Sequence, residues 1–360
     1  MRPYLARMIR DLDYAWLKAA ADPTYRRVTV QMPTGAGKTH LAAEVVSRFV
    51  KRDRPALYIV PTTEILEQTE DKLRRVGVVP AILKAGKHPD LHNVQCVLAM
   101  SQTLARRTEL DWDPSLVVVD EIHRLIDQHK AVVKRWPAAW VMGMSATPCR
   151  LDGKPLADVT PYLVTGPTIR ELQESGYLVP CRAWASGGVD MAGVRVRAGD
   201  FDSVELERRF LAAAVDDVPR QYVRAVGRRR TLCFASGIAH SKALCRAFRD
   251  HGIPAEHVDG TTAPALRDAA IARLRSGKTE ALCNVGLFVE GLDVVETEGV
   301  ILATATMSLS RYMQMVGRGL RISPETRKRQ LAVLDLGGNW ARHGAVDADR
   351  DWSREGRLVG

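Results

Sequence analysis

The sequence predicts an α/β chain of two lobes, each a parallel sheet flanked by helices, with a nucleotide cleft between them. Three observations carry this reading. Short apolar runs alternate with amphipathic stretches, and the alternation occurs twice. MPTGAGKT (Met32–Thr39) has the composition of a phosphate-cradling turn, and the distant QMVGRGLR (Gln314–Arg321) carries two arginines spaced to reach a γ-phosphate. A chain of 360 residues with 46% hydrophobic content can bury two cores of ordinary size.

The first lobe is expected over residues 1–165, with strands at Thr29–Met32, Ala56–Val60, Val94–Met100, Leu116–Asp120 and Val141–Met144. Val28 and Val30 are β-branched and sit in a short run, as in a buried strand. Thr34, Gly35, Ala36 and Gly37 then supply the permissive backbone of an anion-binding turn. Lys38 and Thr39 open a helix that continues through Leu41, Val45 and Val46, so its N-terminal N–H groups face the anion. Lys38 is read as neutralising the β- and γ-phosphates and the Thr39 hydroxyl as a Mg²⁺ ligand, which makes ATP and Mg²⁺ the expected ligands. The strict pattern has glycine where this chain has Met32, so the loop is a variant of it.

LVVVDEIH (Leu116–His123) reads as a central strand buried on both faces, ending in Asp120 and Glu121. Ligands of open α/β sheets gather at such strand ends. Asp120 fits a water-mediated Mg²⁺ ligand, and Glu121 fits the base that orients and deprotonates an attacking water. Taken alone, the pair reads equally well as a solvated strand end.

Turn residues gather between Pro148 and Pro180, namely Gly153, Pro155, Pro161, Gly166 and Pro167. Residues 166–180 are therefore read as a hinge, with a short helix over Thr168–Ser175. The second lobe is expected over 181–346. It alternates Arg230–Phe234, Ser241–His251, Ala255–Val258, Ala265–Ser276 and Ala281–Val285, and residues 347–360 form a tail.

The net charge of +10 favours a polyanionic partner. Part of it reflects a general excess of arginine, and the runs Arg228–Arg230 and Arg327–Arg329 read as solvated faces. No apolar run reaches membrane-spanning length and no signal-peptide core is present. Six cysteines (Cys96, Cys149, Cys181, Cys233, Cys245 and Cys283) lack ligand spacing, which argues for reduced thiols, a cytoplasmic setting and no structural zinc.

In chain order, MPTGAGKT, DEIH, MSATP (Met144–Pro148) and QMVGRGLR resemble motifs I, II, III and VI of the superfamily-two helicases and translocases. VPTTEILEQT (Val60–Thr69), MSQTLARR (Met100–Arg107), CFASGIAHSKAL (Cys233–Leu244), HVDGTT (His257–Thr262) and CNVGLFVEGLDV (Cys283–Val294) resemble the motifs between them. The resemblance runs from about Arg2 to Gly344. Two further segments, Asp190–Phe210 and Leu334–Gly344, resemble the bacterial and prophage RadD-like branch of DEAD/DEAH-type DNA helicases.

The resemblance implies two tandem RecA-like domains and an ATP-dependent DNA helicase or translocase, working in a bacterial or phage-infected cell. It makes Arg318 and Arg321 the groups that stabilise transition-state charge, with Gln314 positioning the water or the γ-phosphate. Gly291 and Asp293 become nucleotide contacts from the second lobe. His123, Ser145 and Thr147 couple nucleotide state to nucleic-acid grip. Pro61, Thr62, Thr63, Gln102, Thr103, Ser236, Gly260 and Thr261 become nucleic-acid contacts, with single-stranded or branched DNA the expected partner. Hydroxyls, amides and glycine backbones suit phosphate contacts that position without reading sequence.

One departure stands out. Members of this group often begin with R-x-Y-Q, whose glutamine reads the adenine edge, whereas here the stretch is Arg2-Pro3-Tyr4-Leu5. Leu5 cannot make that bond, which leaves Arg2 and Tyr4 to flank the base. The motor motifs do not separate DNA from RNA, so a DEAH-type RNA helicase is a rival reading. So are a motor subunit acting with a partner protein and a nucleotide-gated clamp.

Overall fold

The computed structural model describes residues 2–87, 89–107, 110–124, 126–149, 155–185, 188–213, 215–289 and 294–353, without the side chains of 126–130. The chain divides into two compact units, Met1–Thr168 with Asp349–Gly360, and Ile169–Ala348.

The first unit opens with α1 (Pro3–Leu17), which starts on a proline and buries Leu5, Met8, Ile9, Leu12 and Trp16 at helical spacing. Then follow β1 (Arg27–Gln31), α2 (Lys38–Val50), β2 (Ala56–Val60), α3 (Thr63–Arg75), β3 (Ala81–Leu83) and β4 (Cys96–Met100). The unit continues with α4 (Ser101–Arg106), β5 (Leu116–Val119), α5 (Ile126–Arg135), β6 (Trp140–Ser145) and β7 (Tyr162–Thr165). The sheet runs β3-β4-β2-β5-β6-β1-β7, and its neighbours pair in parallel.

Register decides what meets at the carboxyl edge. Val60 lies opposite Met100, Val119 opposite Gly143, and Gln31 opposite Ser145. The residues after β1, β6 and β5 therefore converge on one side of that edge, and those after β2 and β4 lie next to each other beyond them. Gly143 makes room for this, because a Cβ there would lie 2.5 Å from Cδ1 of Ile122.

The second unit contains α6 (Ile169–Glu174), β8 (Cys181–Ala185), β9 (Val196–Arg197), β10 (Asp200–Phe201), α7 (Ser203–Ala212), α8 (Val218–Ala225), β11 (Thr231–Ala235) and α9 (Ile238–Asp250). It continues with β12 (Ala255–Val258), α10 (Pro264–Ser276), β13 (Ala281–Asn284), β14 (Gly299–Ala303), α11 (Leu309–Gly317), β15 (Leu331–Asp335) and α12 (Asn339–His343). Its parallel sheet runs β12-β13-β11-β14-β15-β8, and β9 and β10 form a separate antiparallel hairpin. Leu206, Phe210, Tyr222, Leu244 and Phe248 pack with Cys233, Cys283 and Ile301 in its core.

A buried polar cluster holds the start of α11. Asn339 donates from Nδ2 to the Thr304 carbonyl at 2.7 Å and to Asp335 at 3.0 Å, and its Oδ1 accepts the Thr306 N–H. Asp200 of the hairpin accepts from the Thr306 hydroxyl and the Met307 N–H, both at 2.7 Å. The two segments singled out by their RadD-like sequence thus meet at Thr306, and they also share the apolar core through Leu206, Phe210, Leu334 and Leu336.

The structure corrects the sequence reading in several places. The stretch taken as irregular contains β7, which pairs with β1 at the sheet edge. It is four residues long, so Pro161 and Gly166-Pro167 bound a short edge strand as well as turns. Strands β3, β14 and β15 were not anticipated. The Arg327–Arg329 run is not wholly solvated, since Lys328 inside it is buried. All six cysteines are free thiols, and no helix of the described residues is long and apolar enough to cross a membrane.

Candidate nucleotide and nucleic-acid sites

In the first unit, Gly35 and Gly37 adopt φ of +86° and +95°, the left-handed region that side chains resist. Gly37 is the residue before α2, so the turn delivers the chain to the helix N-terminus. Lys38 folds back into the loop, with Nζ 3.3 Å from the Met32 carbonyl and 4.0 Å from Oε1 of Glu121. Thr39 follows on the first turn of α2, half-buried.

Asp120, buried at the end of β5, bonds through its N–H to the Ile59 carbonyl. Its Oδ1 accepts the Glu121 N–H at 3.0 Å. Glu121 itself has φ +49°, a conformation costing roughly 1–2 kcal/mol for a residue with a side chain. Its Oε2 is buried without a hydrogen-bond partner and lies 3.4 Å from Nδ1 of His123. Strain and an orphaned acceptor at one residue mark a place shaped for something other than stability.

The chain of contacts continues. His123 Nδ1 and Ser145 Oγ share a hydrogen bond at 2.9 Å, and Ser145 Oγ accepts the Thr147 N–H at 3.0 Å. Backbone bonds lock the same segments, from Met32 N–H to the Ser145 carbonyl and from Ile122 N–H to the Met144 carbonyl. Gln31 adds a side-chain bond to the Ala146 carbonyl. Lys38, Asp120, Glu121, His123, Ser145 and Thr147 are therefore brought together. An anion-accepting turn, an ammonium and two carboxylates form a donor set that fits a metal-bound polyphosphate.

Tyr4 approaches the same loop differently. Its hydroxyl donates to the Ala36 carbonyl at 2.6 Å and accepts from Arg2 at 2.8 Å. Leu5 is buried, with Cδ1 4.0 Å from where a Gly37 Cβ would stand. Tyr4 thus braces the loop backbone, and Leu5 fills space beneath it.

In the second unit, Gln314 on α11 is buried and its Nε2 has no hydrogen-bond partner. Arg318 caps the helix and donates from Nε and Nη2 to the Val289 carbonyl at 3.0 and 2.7 Å. Arg321 lies beyond the helix, in an isolated bridge with Leu178. The two arginines consequently do not share a helix face. Gly291 and Asp293 lie outside the described residues.

Of the nucleic-acid candidates, Pro61, Thr62 and Thr63 sit at the end of β2 and the start of α3, where the Thr62 hydroxyl accepts the Ile65 N–H. Gln102 and Thr103 occupy the first turn of the neighbouring α4. Ser236 and Thr261 are different. The Ser236 hydroxyl lies 2.7 Å from His240 Nδ1, toward which the Ser236 N–H also points. Nδ1 is then the acceptor, and burial pushes the His240 imidazole down to about 4, so it stays neutral. Thr261 donates both its N–H and its hydroxyl to Oδ1 of Asp259. Both hydroxyls are thus engaged within the protein. Gly260 is exposed and faces open space.

Sequence reasoning missed His240, Asp259, Asp200 and Lys328. Asp259 had a local signal, as an Asx turn before Gly-Thr-Thr. His240 sits only four residues from its partner Ser236, whereas Asp200 and Lys328 become visible through partners distant in sequence.

Residues 1–150 match the family described as the type III restriction enzyme res subunit, and residues 214–323 match the helicase conserved C-terminal domain. Both matches are consistent with a superfamily-two helicase. Among relatives of this helicase core is a 51.5 kDa protein of a Lactococcus phage (isolate 7-9), 25% identical over 324 residues, covering 90% of this chain and 68% of the phage protein. The IRC3 protein of Saccharomyces cerevisiae is 27% identical over 350 residues, covering 89% of this chain and 50% of its own. The helicase core thus spans about half the length of that yeast relative. A solved fragment assigned to the HsdR subunit of a type I restriction enzyme from Vibrio vulnificus superposes with a TM-score of 0.72 at 19% identity, over 96% of this chain and 65% of the fragment. That likeness establishes the fold, two RecA-like domains. The matches operate at superfamily level and do not single out the RadD-like branch.

Proposed function

We propose that this chain is an ATP-dependent motor that translocates on or unwinds DNA. The observation that carries the proposal is the Lys38–Glu121 pair at the end of a glycine turn, with a Glu121 oxygen buried and unbonded. An oxygen held ready in a dry site suits a base that accepts a proton from an attacking water.

In this reading, the loop N–H groups and Lys38 bind the phosphates of ATP. Mg²⁺, held by Thr39 and Asp120, supplies charge neutralisation on the phosphate oxygens when bound. Glu121 orients and deprotonates water. Arg318, Arg321 and Gln314 of the second unit, with Gly291 and Asp293, complete the nucleotide contacts, the arginines balancing charge that develops at the transferred phosphate. His123, Ser145 and Thr147 pass the nucleotide state on. Pro61, Thr62, Thr63, Gln102, Thr103 and Gly260 hold the nucleic-acid backbone without reading its sequence.

DNA is the chosen track because the first 150 residues match a restriction-enzyme family and two segments resemble DNA helicases. The test is steady-state ATP hydrolysis with no nucleic acid, single-stranded DNA, forked DNA and RNA, beside Lys38→Ala. Stimulation by DNA that vanishes in the variant supports the motor. Stimulation by RNA alone transfers the track to RNA, and no stimulation by any of them removes the claim of a self-sufficient motor.

A further inference from the structure

Lys328 is a buried cation that the nucleotide chemistry does not use. It lies between exposed Arg327 and Arg329, yet is only 8% exposed, and Arg327 takes φ +50° where the chain turns to send the lysine inward. Its Nζ donates to three carbonyls, those of Val295 at 2.9 Å, Thr297 at 2.7 Å and Gly319 at 2.9 Å. An ammonium has three N–H donors, so each finds one acceptor. Burial pushes the pKa down to about 8, against the pull of Glu298 and Glu296, so at neutral pH the group keeps its charge and its third proton.

The three carbonyls come from two places that matter. Gly319 lies between Arg318 and Arg321 in QMVGRGLR, and Val295 and Thr297 follow the motif V segment. Within that segment the Val289 carbonyl is held by Arg318. Two cations therefore bond backbone carbonyls of this part of the chain, Arg318 at Val289 and Lys328 at Val295, Thr297 and Gly319. Gly319 has little freedom to adjust, since a Cβ there would collide with the Leu331 side chain. Arg321 emerges two residues later, into its bridge with Leu178.

We propose that Lys328 is a positioning residue for Arg321, fixing the Gly319 turn and thereby the direction in which Arg321 is presented. The inference rests on the proposed ATPase reading. A structural lysine alone would set only stability. A positioning lysine sets turnover through Arg321.

The experiment compares Lys328→Arg and Lys328→Met in the wild-type and Arg321→Ala backgrounds, reading DNA-stimulated kcat, KM for ATP and melting temperature. Lys328→Arg keeps the charge but cannot place three donors on these carbonyls, so the fold survives while the turn shifts. The expected result is a KM within about twofold and a kcat lowered by about 10- to 100-fold, as for a misplaced transition-state group. In the Arg321→Ala background the same substitution should add little further loss. Lys328→Met, which leaves three buried carbonyls unbonded, should lower the melting temperature as well.

An unchanged kcat in folded Lys328→Arg overturns the proposal. So do losses that multiply independently with Arg321→Ala, and so does failure of Lys328→Arg to fold, since the residue would then be structural. Absence of ATP hydrolysis by the wild-type chain under every condition removes the underlying function instead, and the inference with it.

Discussion

Ser145 Oγ lies 2.9 Å from His123 Nδ1, joining the end of β6 to the segment that follows β5. Parallel pairing of β5 with β6 and of β6 with β1 puts this bond beside the phosphate loop. A change at the nucleotide can thus be felt at Ser145-Ala146-Thr147 through Glu121 and His123, with no long-range displacement required. In the proposed motor, this one hydrogen bond would be the physical basis of the coupling, as it persists or breaks.

Ser145→Ala removes the bond and leaves Lys38, Asp120 and Glu121 in place. Basal ATP turnover should stay within a few-fold, and its stimulation by nucleic acid should fall about tenfold, the scale of a modest coupling energy. Turnover measured with and without single-stranded DNA separates the two. Equal losses in both would mean that Ser145 supports the site rather than its coupling.

Glu121→Gln preserves shape and removes the proton acceptor. Turnover should drop by about 10²–10⁴-fold while ATP binding persists. Because the carboxylate carries a buried unbonded oxygen, the melting temperature should not fall. Lys38→Ala should lose binding and turnover together. A Glu121→Gln variant that still hydrolyses ATP at the wild-type rate would assign the base elsewhere.

Acid should weaken the second unit through His240. Its folded pKa of about 4 lies below the usual 6.5, so as pH falls the unfolded chain takes up the proton first. The stability it contributes is complete above about pH 6.5 and is lost as pH falls toward 4, by at most about 3 kcal/mol. Urea unfolding at pH 7 and pH 5 for the wild type and His240→Leu should show a steeper loss in the wild type. Parallel losses would place the acid sensitivity in other groups.

Gly143→Ala tests how closely β6 must pass Ile122. The added Cβ would lie 2.5 Å from Ile122 Cδ1, so about 1–3 kcal/mol of destabilisation is expected, as for other overpacked cores. Denaturant unfolding of the variant measures it, and turnover should fall too because Ile122 follows Glu121 in the chain. A neutral substitution would show that the DEIH segment has room to move.

Leu5 predicts loose base selection. With an apolar side chain buried under the loop, no hydrogen bond from this position reads the adenine edge. GTP and CTP should compete with ATP within about tenfold, since discrimination of 10⁴ or more needs a site that hydrogen-bonds the distinguishing group. Strong preference for ATP in a competition assay would point to another adenine reader.

Much of the fold was legible because its signals are local. Ala56–Val60 and Ala255–Val258 are strands at the residues read from the sequence, as apolar runs between turn-forming stretches. β7 was not, because four residues between prolines and glycines look like a loop until β1 is there to pair with them. The nucleotide half of the site was legible in the same way, since glycine, lysine and paired carboxylates act through residue type and order. The surroundings of Ser236 and Thr261 were not legible, for the opposite reason. A hydroxyl looks available in any sequence, and only His240 and Asp259 show that its proton is already given away.

What the sequence determined by itself was the framework: two parallel α/β sheets, a glycine turn ahead of a helix, an acidic pair at a strand end and an arginine turn far downstream. These follow from backbone permissiveness, hydrophobic period and charge, which are properties of neighbouring residues. What the tertiary structure decided was which polar groups remain open. Lys328 reads as one more surface charge in Arg327–Arg329, and it is buried against three carbonyls from Val295, Thr297 and Gly319. Burial and hydrogen-bond partnership depend on chain segments meeting across the fold, and a side chain's chemistry is settled only when its partners are in place.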